Sequence, residues 1–300
     1  MKITNKQGLP QPFVDAVSSD YRYKPKRYSA TSLLKGIREA VLQHRHDGEI
    51  EQDASEMVWL LFGKAVHSIL ENSVELPEQI KECKLVEDMG DGYELSGIFD
   101  LYDAKTETVY DYKTASTWKA LFNDWEDYRR QLIIYAWMLE QAGLPCRHGE
   151  LVVFYKDHSK TEAARRADYP QLPVERKIYD YTPADIEAAG EWISENFDAI
   201  KYAETLPDAD LPMCTDEERW HKPDKWAVKK PGVKRAIRLY DTREEAMQHA
   251  AGTNLEIEYR PGEDTKCQKY CSVAQFCDHG RLLATIKERT DENNLPSGNQ

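Results

Sequence analysis

Three side chains in the middle of this sequence have the types and spacing to manage a divalent cation beside a phosphate. They are Asp100, which closes Gly97-Ile98-Phe99-Asp100, and Asp111 and Lys113, both within Tyr110-Asp111-Tyr112-Lys113-Thr114. Residues two apart in a strand point to the same face, so Asp111 and Lys113 share one. A hairpin returning the chain beside Gly97–Asp100 would bring Asp100 to the same rim. Two carboxylates that close repel when ionised unless a cation neutralises them. Carboxylate and water oxygens are the ligands that Mg2+ takes. An adjacent ammonium can stabilise charge on a phosphate or position an attacking water.

Taken singly, each signal has an ordinary explanation. An Asp-x-Lys on a strand is commonly a solvated face, and a Gly-x-x-Asp before a hairpin commonly just ends a strand. His67 lies in an otherwise apolar helix face and by default is a core histidine with a satisfied hydrogen bond. Gln131 and Tyr135 are one helical turn apart and share a face, as many such pairs do. The signal lies in the order and spacing of the set.

The elements that must position these residues follow from periodicity. Leu33, Leu34, Ile37, Val41 and Leu42 predict a helix over 29–44, and Trp59 to Leu70 predict a second over 56–72. Strand-like segments over 82–88, 93–102 and 108–114 are divided by Asp91-Gly92 and by Asp103-Ala104-Lys105-Thr106. A helix over 127–141 stops at Gly143 and Pro145, and a buried strand follows from Glu150 to Lys156. A strand near 177–181 leads to a helix over 183–203 with Thr182 as its cap. The organisation expected is an N-terminal arm over 1–28, a core over 29–205, a basic cysteine-containing subdomain over 206–285 and a flexible tail over 286–300.

The series Gly63-Lys64-Ala65-Val66-His67, Gly97-Ile98-Phe99-Asp100, Asp111-Tyr112-Lys113 and Gln131-Leu132-Ile133-Ile134-Tyr135 resembles the RecB-type branch of the PD-(D/E)XK nucleases, which includes CRISPR-adaptation nucleases. The resemblance implies an α/β, restriction-endonuclease-like fold: a mixed β-sheet flanked by helices, here with a C-terminal cysteine-stapled extension. It implies that His67, Asp100, Asp111 and the Tyr112 backbone carbonyl hold Mg2+ or Mn2+. Lys113 would orient or activate the water, with Gln131 and Tyr135 beside it. The implied activity is hydrolysis of phosphodiester bonds by a DNA exonuclease acting on ends or single strands. A non-catalytic DNA-binding or assembly factor and a site-specific endonuclease are the alternatives. The C-terminal stretch is similar to that of phage-encoded nucleases of this superfamily, and a helicase or recombination partner is compatible with such a role.

Cys267, Cys271 and Cys277 lie within eleven residues, with Cys214 upstream. Three cysteines this close suggest thiolate ligands with Cys214 as a fourth, a set that suits an iron–sulfur cluster or structural zinc. Several RecB-type nucleases have such cysteines on a 4Fe-4S cluster, so the resemblance implies that cluster, with Zn2+ as the alternative. Two departures stand against it. The segment Ser29-Ala30-Thr31-Ser32-Leu33 is followed by no cysteine before Cys83, and Cys267-x3-Cys271 is one residue longer than the commonest family spacing. Cys83 and Cys146 are expected as ordinary thiols, and His221 and His279 as substitute ligands at most.

The 300 residues carry a formal net charge of −13, which counts against a uniform basic coat for nucleic acid but not against a local basic groove. Basic residues do cluster, as Arg22, Lys24, Lys26 and Arg27 and again as Lys222, Lys225, Lys229, Lys230, Lys234, Arg235 and Arg238. The later cluster lies with Trp220 and Trp226, which could guide a single strand or form the core of a small subdomain. No apolar run approaches the roughly 20 residues of a membrane span. The opening Met1-Lys2-Ile3-Thr4-Asn5-Lys6 lacks a secretory apolar stretch, so a cytoplasmic location is expected.

Overall fold

The computed structural model describes residues 1–18, 23–74 and 76–293, which fall into two compact units. The first unit comprises residues 1–40 and 47–205, the second residues 41–46 and 206–300.

The first unit opens with β1 (Lys2–Thr4) and α1 (Gln11–Val17), where an arm was expected. Apolar burial holds them down: Val17, Ala54 and Met57 form a small core covered by Ile3, Leu9, Phe13, Val14 and Leu61. Next come β2 (Arg27–Ser29), α2 (Ala30–Leu33), α3 (Ile37–Arg45), whose residues from Val41 on belong to the second unit, and β3 (Glu51–Asp53), paired in parallel with β1. The single helix expected over 29–44 is therefore two. Ser29 caps the first of them, its hydroxyl accepting the Ser32 N–H at 3.1 Å, and Gly36, a poor helix former, sits in the gap before the second.

After a 3-10 turn over Ala54–Met57, α4 (Val58–Glu71) runs to the sheet strands β4 (Gln79–Asp88), β5 (Glu94–Asp103) and β6 (Thr108–Ala115). Asp91 and Gly92 turn the first hairpin with φ of 55° and 78°, a left-handed pair that glycine tolerates. Asp103 Oδ1 accepts the N–H groups of Lys105 and Thr106 and closes the second. Then follow α5 (Thr117–Leu121), α6 (Glu126–Gln141), β7 (His148–Tyr155), α7 (Lys160–Arg165), β8 (Val174–Asp180) and α8 (Pro183–Glu204). Thr182 and Asp185 form a reciprocal cap on α8.

The six-stranded sheet runs β2-β5-β6-β7-β8, with β4 also on β5. It is mixed: β6 pairs with β7 in parallel along its whole length, and β7 with β8 antiparallel. Helix α6 packs across β4, β6 and β7 and against α8. The core beneath it includes Leu95, Phe99, Leu132, Ile134, Met138, Leu139, Leu151 and Ile193. Of the early basic cluster, Arg22 lies outside the described residues, while Lys24 and Arg27 pair with Glu94 at 2.7 and 2.6 Å.

In the second unit, α9 (Asp216–Arg219) and β9 (His221–Lys222) precede β10 (Lys225–Lys229), the centre of a three-stranded antiparallel sheet with β11 (Arg238–Tyr240) and β12 (Glu256–Arg260). Helix α10 (Arg243–Ala250), capped by the Thr242 hydroxyl on the Glu245 N–H, packs on that sheet. Strand β13 (Glu263–Asp264) pairs with β9, and α11 (Thr265–Lys269) and α12 (Asp278–Asn293) end the unit. The expected tail is thus helical through Asn293, and residues 294–300 lie outside the described residues. Lys222, Lys225 and Lys229 each have an acidic partner, in Glu263, Asp241 and Glu258. Among the described residues, no helix is long and apolar enough to cross a membrane.

Candidate metal centre

The centre forms where the sheet forks. Strand β5 pairs with β6 only through Leu101–Asp103, and further back the β5 residues Glu94–Ser96 pair with β2 instead. The ladder therefore stops one position short of Asp100 and Asp111, which the register would set opposite each other. With the β5 backbone gone, the Tyr112 N–H donates to Asp100 Oδ2 at 2.5 Å. A backbone donor that would otherwise be left open is satisfied by the carboxylate itself.

A second interruption lies on the other side of Asp100. Lys81 faces Leu101 and Cys83 faces Phe99, so Glu82 falls opposite Asp100, yet that pair is missing from the ladder and Glu82 has φ of 45°. The kink accompanies an acidic cluster with α4 beside it: His67 Nδ1 lies 2.9 Å from Asp100 Oδ1 and 3.8 Å from Glu82 Oε1. Ligand atoms of His67, Glu82 and Asp100 all lie within 4.8 Å of one another. Burial raises the Glu82 carboxyl, and the negative Asp100 raises it further. The hydrogen bond to Asp100 raises the His67 imidazole against the opposing effect of burial.

Asp111 is 2% exposed, and Lys113 bridges its two oxygens at 2.6 and 2.5 Å. Apart from Lys113, the buried Oδ2 meets no donor among the described residues. Burial pushes the Asp111 carboxyl up, Lys113 pulls it down, and Asp100 adds to the rise. A carboxylate buried at such cost, with two more acids and an imidazole nearby, belongs to a donor set that fits a hard divalent cation.

Helix α6 closes the centre with residues at i, i+3 and i+7. Gln131 Nε2 donates to the Tyr135 hydroxyl at 2.7 Å in the interior. The Tyr135 hydroxyl is raised by burial and by Asp111, and that of Tyr128 is pushed up to about 12 by the same two causes. Lys113 Nζ lies 5.5 Å from the centre of the Tyr128 ring. Gly97 explains its place in the motif here, because a Cβ on it would stand 2.8 Å from Tyr135 Cε1.

The structure thus gathers His67, Asp100, Asp111, Lys113, Gln131 and Tyr135 around the fork. Tyr112 contributes its N–H to Asp100, and its ring meets His67 edge-on at 6.3 Å. Glu82 and Tyr128 were not singled out from the sequence, although each carried a signal. Tyr128 precedes Gln131 by three, and Glu82 and Asp100 lie nine residues either side of Asp91 in the first hairpin turn.

In the second unit, Cys267 lies on α11, and its thiol is pushed up to about 11 by burial first and then by Cys271, Asp264 and Cys277. His221 and His279 both bond Asp264, at 2.7 and 2.6 Å, and Arg219 joins them at 3.1 Å. Cys146 is fully buried and raised by that burial to about 12, as befits an inert thiol, and Cys83 lies part-exposed on β4.

Residues 21–278 match the profile of the PD-(D/E)XK nuclease superfamily. No curated protein matches the chain. Among solved structures, SSO0001 is 15% identical with a TM-score of 0.45, the match covering 62% of this chain and 83% of that one. A phage-related exonuclease from Haemophilus somnus 129PT is 12% identical with a TM-score of 0.36, covering 59% and 95%. The alkaline exonuclease LHK-Exo from Laribacter hongkongensis is 12% identical with a TM-score of 0.34, covering 60% and 92%. No activity follows from likeness at this level.

Proposed function

The chain belongs to the PD-(D/E)XK nuclease superfamily, and on that premise we propose that it is an Mg2+- or Mn2+-dependent DNA exonuclease acting at ends or in single strands. The observation that carries the reading is the cluster of His67, Glu82 and Asp100, whose ligand atoms lie within 4.8 Å of one another, beside the buried Asp111 carboxylate that Lys113 bridges. His67, Asp100 and Asp111 would hold the cation, with the Tyr112 carbonyl and Glu82 as further donors. Once bound, such a cation offsets phosphate charge and makes a water more acidic. Lys113, which touches Asp111, would hold a water or a phosphate oxygen. Tyr128, Gln131 and Tyr135 keep bulk solvent from that side of the Asp111–Lys113 pair.

The test is digestion of end-labelled single- and double-stranded DNA and of closed circular DNA with Mg2+ or Mn2+, beside Asp111→Ala. Shortening of the labelled strands that stops in the variant, with circles left intact, is the expected result. Cleavage that persists in Asp111→Ala would remove the assignment, and nicking of circles would make the enzyme an endonuclease.

Cys214, Cys267, Cys271 and Cys277 would hold a 4Fe-4S cluster or, alternatively, Zn2+. The effect of Cys271 and Cys277 on the Cys267 thiol supports a shared site. Anaerobic purification followed by absorption near 400 nm and metal analysis decides between them. Protein free of both iron and zinc would end this part of the proposal.

A further inference from the structure

Four large aromatic rings stand in the open beside the metal centre. Trp59 and Phe62 on α4 are 54% and 52% exposed, and Trp118 and Phe122 at α5 are 61% and 74% exposed. Side chains of this size ordinarily bury their area, so a concentration of exposed rings marks a surface that something covers. The rings are paired, Trp59 with Phe62 at 5.7 Å and Trp118 with Phe122 at 5.9 Å, the second pair stacked at 23°.

Lys156 and Asp157 bind the two pairs into one surface. The Lys156 ammonium lies 3.8 Å from the centre of the Trp59 ring, and its backbone N–H donates to Ala115 at the end of β6. Asp157 accepts the Ser116 hydroxyl at 2.6 Å and the Thr117 N–H at 2.7 Å, which fixes the start of α5 one residue before Trp118. Ala115 is two residues beyond Lys113, about 7 Å along the strand. Lys119, next to Trp118, carries the surface inward: its ammonium lies 4.6 Å from the ring of Tyr128, the ring that Lys113 also approaches. Lys119 also meets the exposed Asp124 at 3.4 Å.

We propose that these rings form a platform on which the unpaired bases of a single DNA strand stack while Lys156 and Lys119 follow its phosphates toward Lys113. The proposal rests on the reading of the metal centre as a nuclease site. The alternation of ring and ammonium is what selects the occupant. A single strand offers a π-face and a negative charge at every nucleotide, whereas duplex bases are stacked on one another and present only edges. An apolar protein surface would cover the rings but strip water from the exposed Lys156 ammonium without giving it a charged partner.

The experiment measures binding of fluorescent oligo-dT to the full chain by anisotropy in EDTA, where no cleavage occurs. Hydrolysis of bis(p-nitrophenyl) phosphate with Mn2+ is measured in parallel and needs only the metal centre. Trp59→Ala and Trp118→Ala are each expected to weaken oligo-dT binding about five-fold or more, the effect of losing one stacked base. Trp59→Phe retains most of the affinity, and all three variants hydrolyse the small diester like the wild type. Alanine variants that bind oligo-dT unchanged overturn the platform, as does an equal loss of affinity for a blunt duplex of the same length. A dimer in sedimentation that Trp59→Ala dissolves overturns it too, since a second copy would then be the occupant. Wild-type protein that leaves both the diester and DNA intact sinks the nuclease reading instead, a result distinct from any change in oligo-dT affinity.

Discussion

Asp100 and Tyr112 meet across the parting of β5 and β6, the carboxylate Oδ2 taking the backbone N–H at 2.5 Å. Asp100 therefore has a structural duty besides any ligand role. Asp100→Ala leaves that N–H open in the interior and is expected to cost about 1–3 kcal/mol of stability. Asp100→Asn keeps an acceptor, so it should lose DNA cleavage while keeping most of the denaturation midpoint. Chemical denaturation and cleavage assays on both variants check this, and an Asp100→Ala protein as stable as the wild type would show that the bond holds nothing.

Lys113 and Asp111 make a second pair whose members are unequal. Removing the lysine strands a charge on a carboxylate that is 2% exposed. Lys113→Ala should therefore destabilise by roughly 3–5 kcal/mol, the range for breaking a buried ion pair. Adding Asp111→Asn removes the stranded charge and should restore part of the loss, although the double variant stays inactive. A double variant no more stable than Lys113→Ala would contradict this account.

Glu82 can be tested as a ligand apart from its neighbours. If it joins His67 and Asp100 around the cation, Glu82→Gln and His67→Ala should each lower Mn2+ affinity, His67→Ala by about ten-fold or more. Titration calorimetry of Mn2+ into the full chain reads this directly. Affinity unchanged in Glu82→Gln would remove it from the coordination set.

Gly97 has no room for a methyl group. With Tyr135 Cε1 at 2.8 Å and Met138 Sδ at 3.2 Å from where a Cβ would be, Gly97→Ala must push α6 or turn the ring. The expected loss is about 1–3 kcal/mol, and Tyr135→Ala in the same chain should recover part of it. Thermal melts of the single and double variants decide.

Asp53 sets an acid limit on the fold. The Ser55 hydroxyl first, then the Lys6 N–H, hold its carboxyl well below the usual range, and Thr4 also donates to it. A folded-state value depressed in this way contributes stability that is complete above the unfolded value of about 3.9 and fades as pH falls toward the folded value. The denaturation midpoint of the wild type should therefore drop more steeply between pH 5 and pH 2 than that of Asp53→Asn. Parallel curves for the two proteins would show that Asp53 does not set this limit.

Much of the centre was legible because it depends on local periods. The two-residue period joins Asp111 to Lys113, and the four-residue spacing joins Gln131 to Tyr135, before any tertiary information enters. Glu82 was hidden because its nearness to Asp100 depends on register across a hairpin, counted from Asp91. The exposed face of α4 was hidden for a different reason. Trp59, Leu60 and Phe62 read as part of one apolar face, yet all three are exposed, and apolar pattern alone does not distinguish a buried face from one left for a ligand. The first seventeen residues looked like an arm because β1 needs β3, almost fifty positions away, to become a strand.

The parallel union of β6 with β7 means that the chain must leave the sheet and cross over it before β7 can dock, and the crossing carries α5 and α6. Asp111 and Lys113 on one side and Tyr128, Gln131 and Tyr135 on the other thus belong to a single crossover of chain. A drift in the tilt of that one helix is shared by every group it shelters, so the acids and their shield keep their mutual spacing or lose it together.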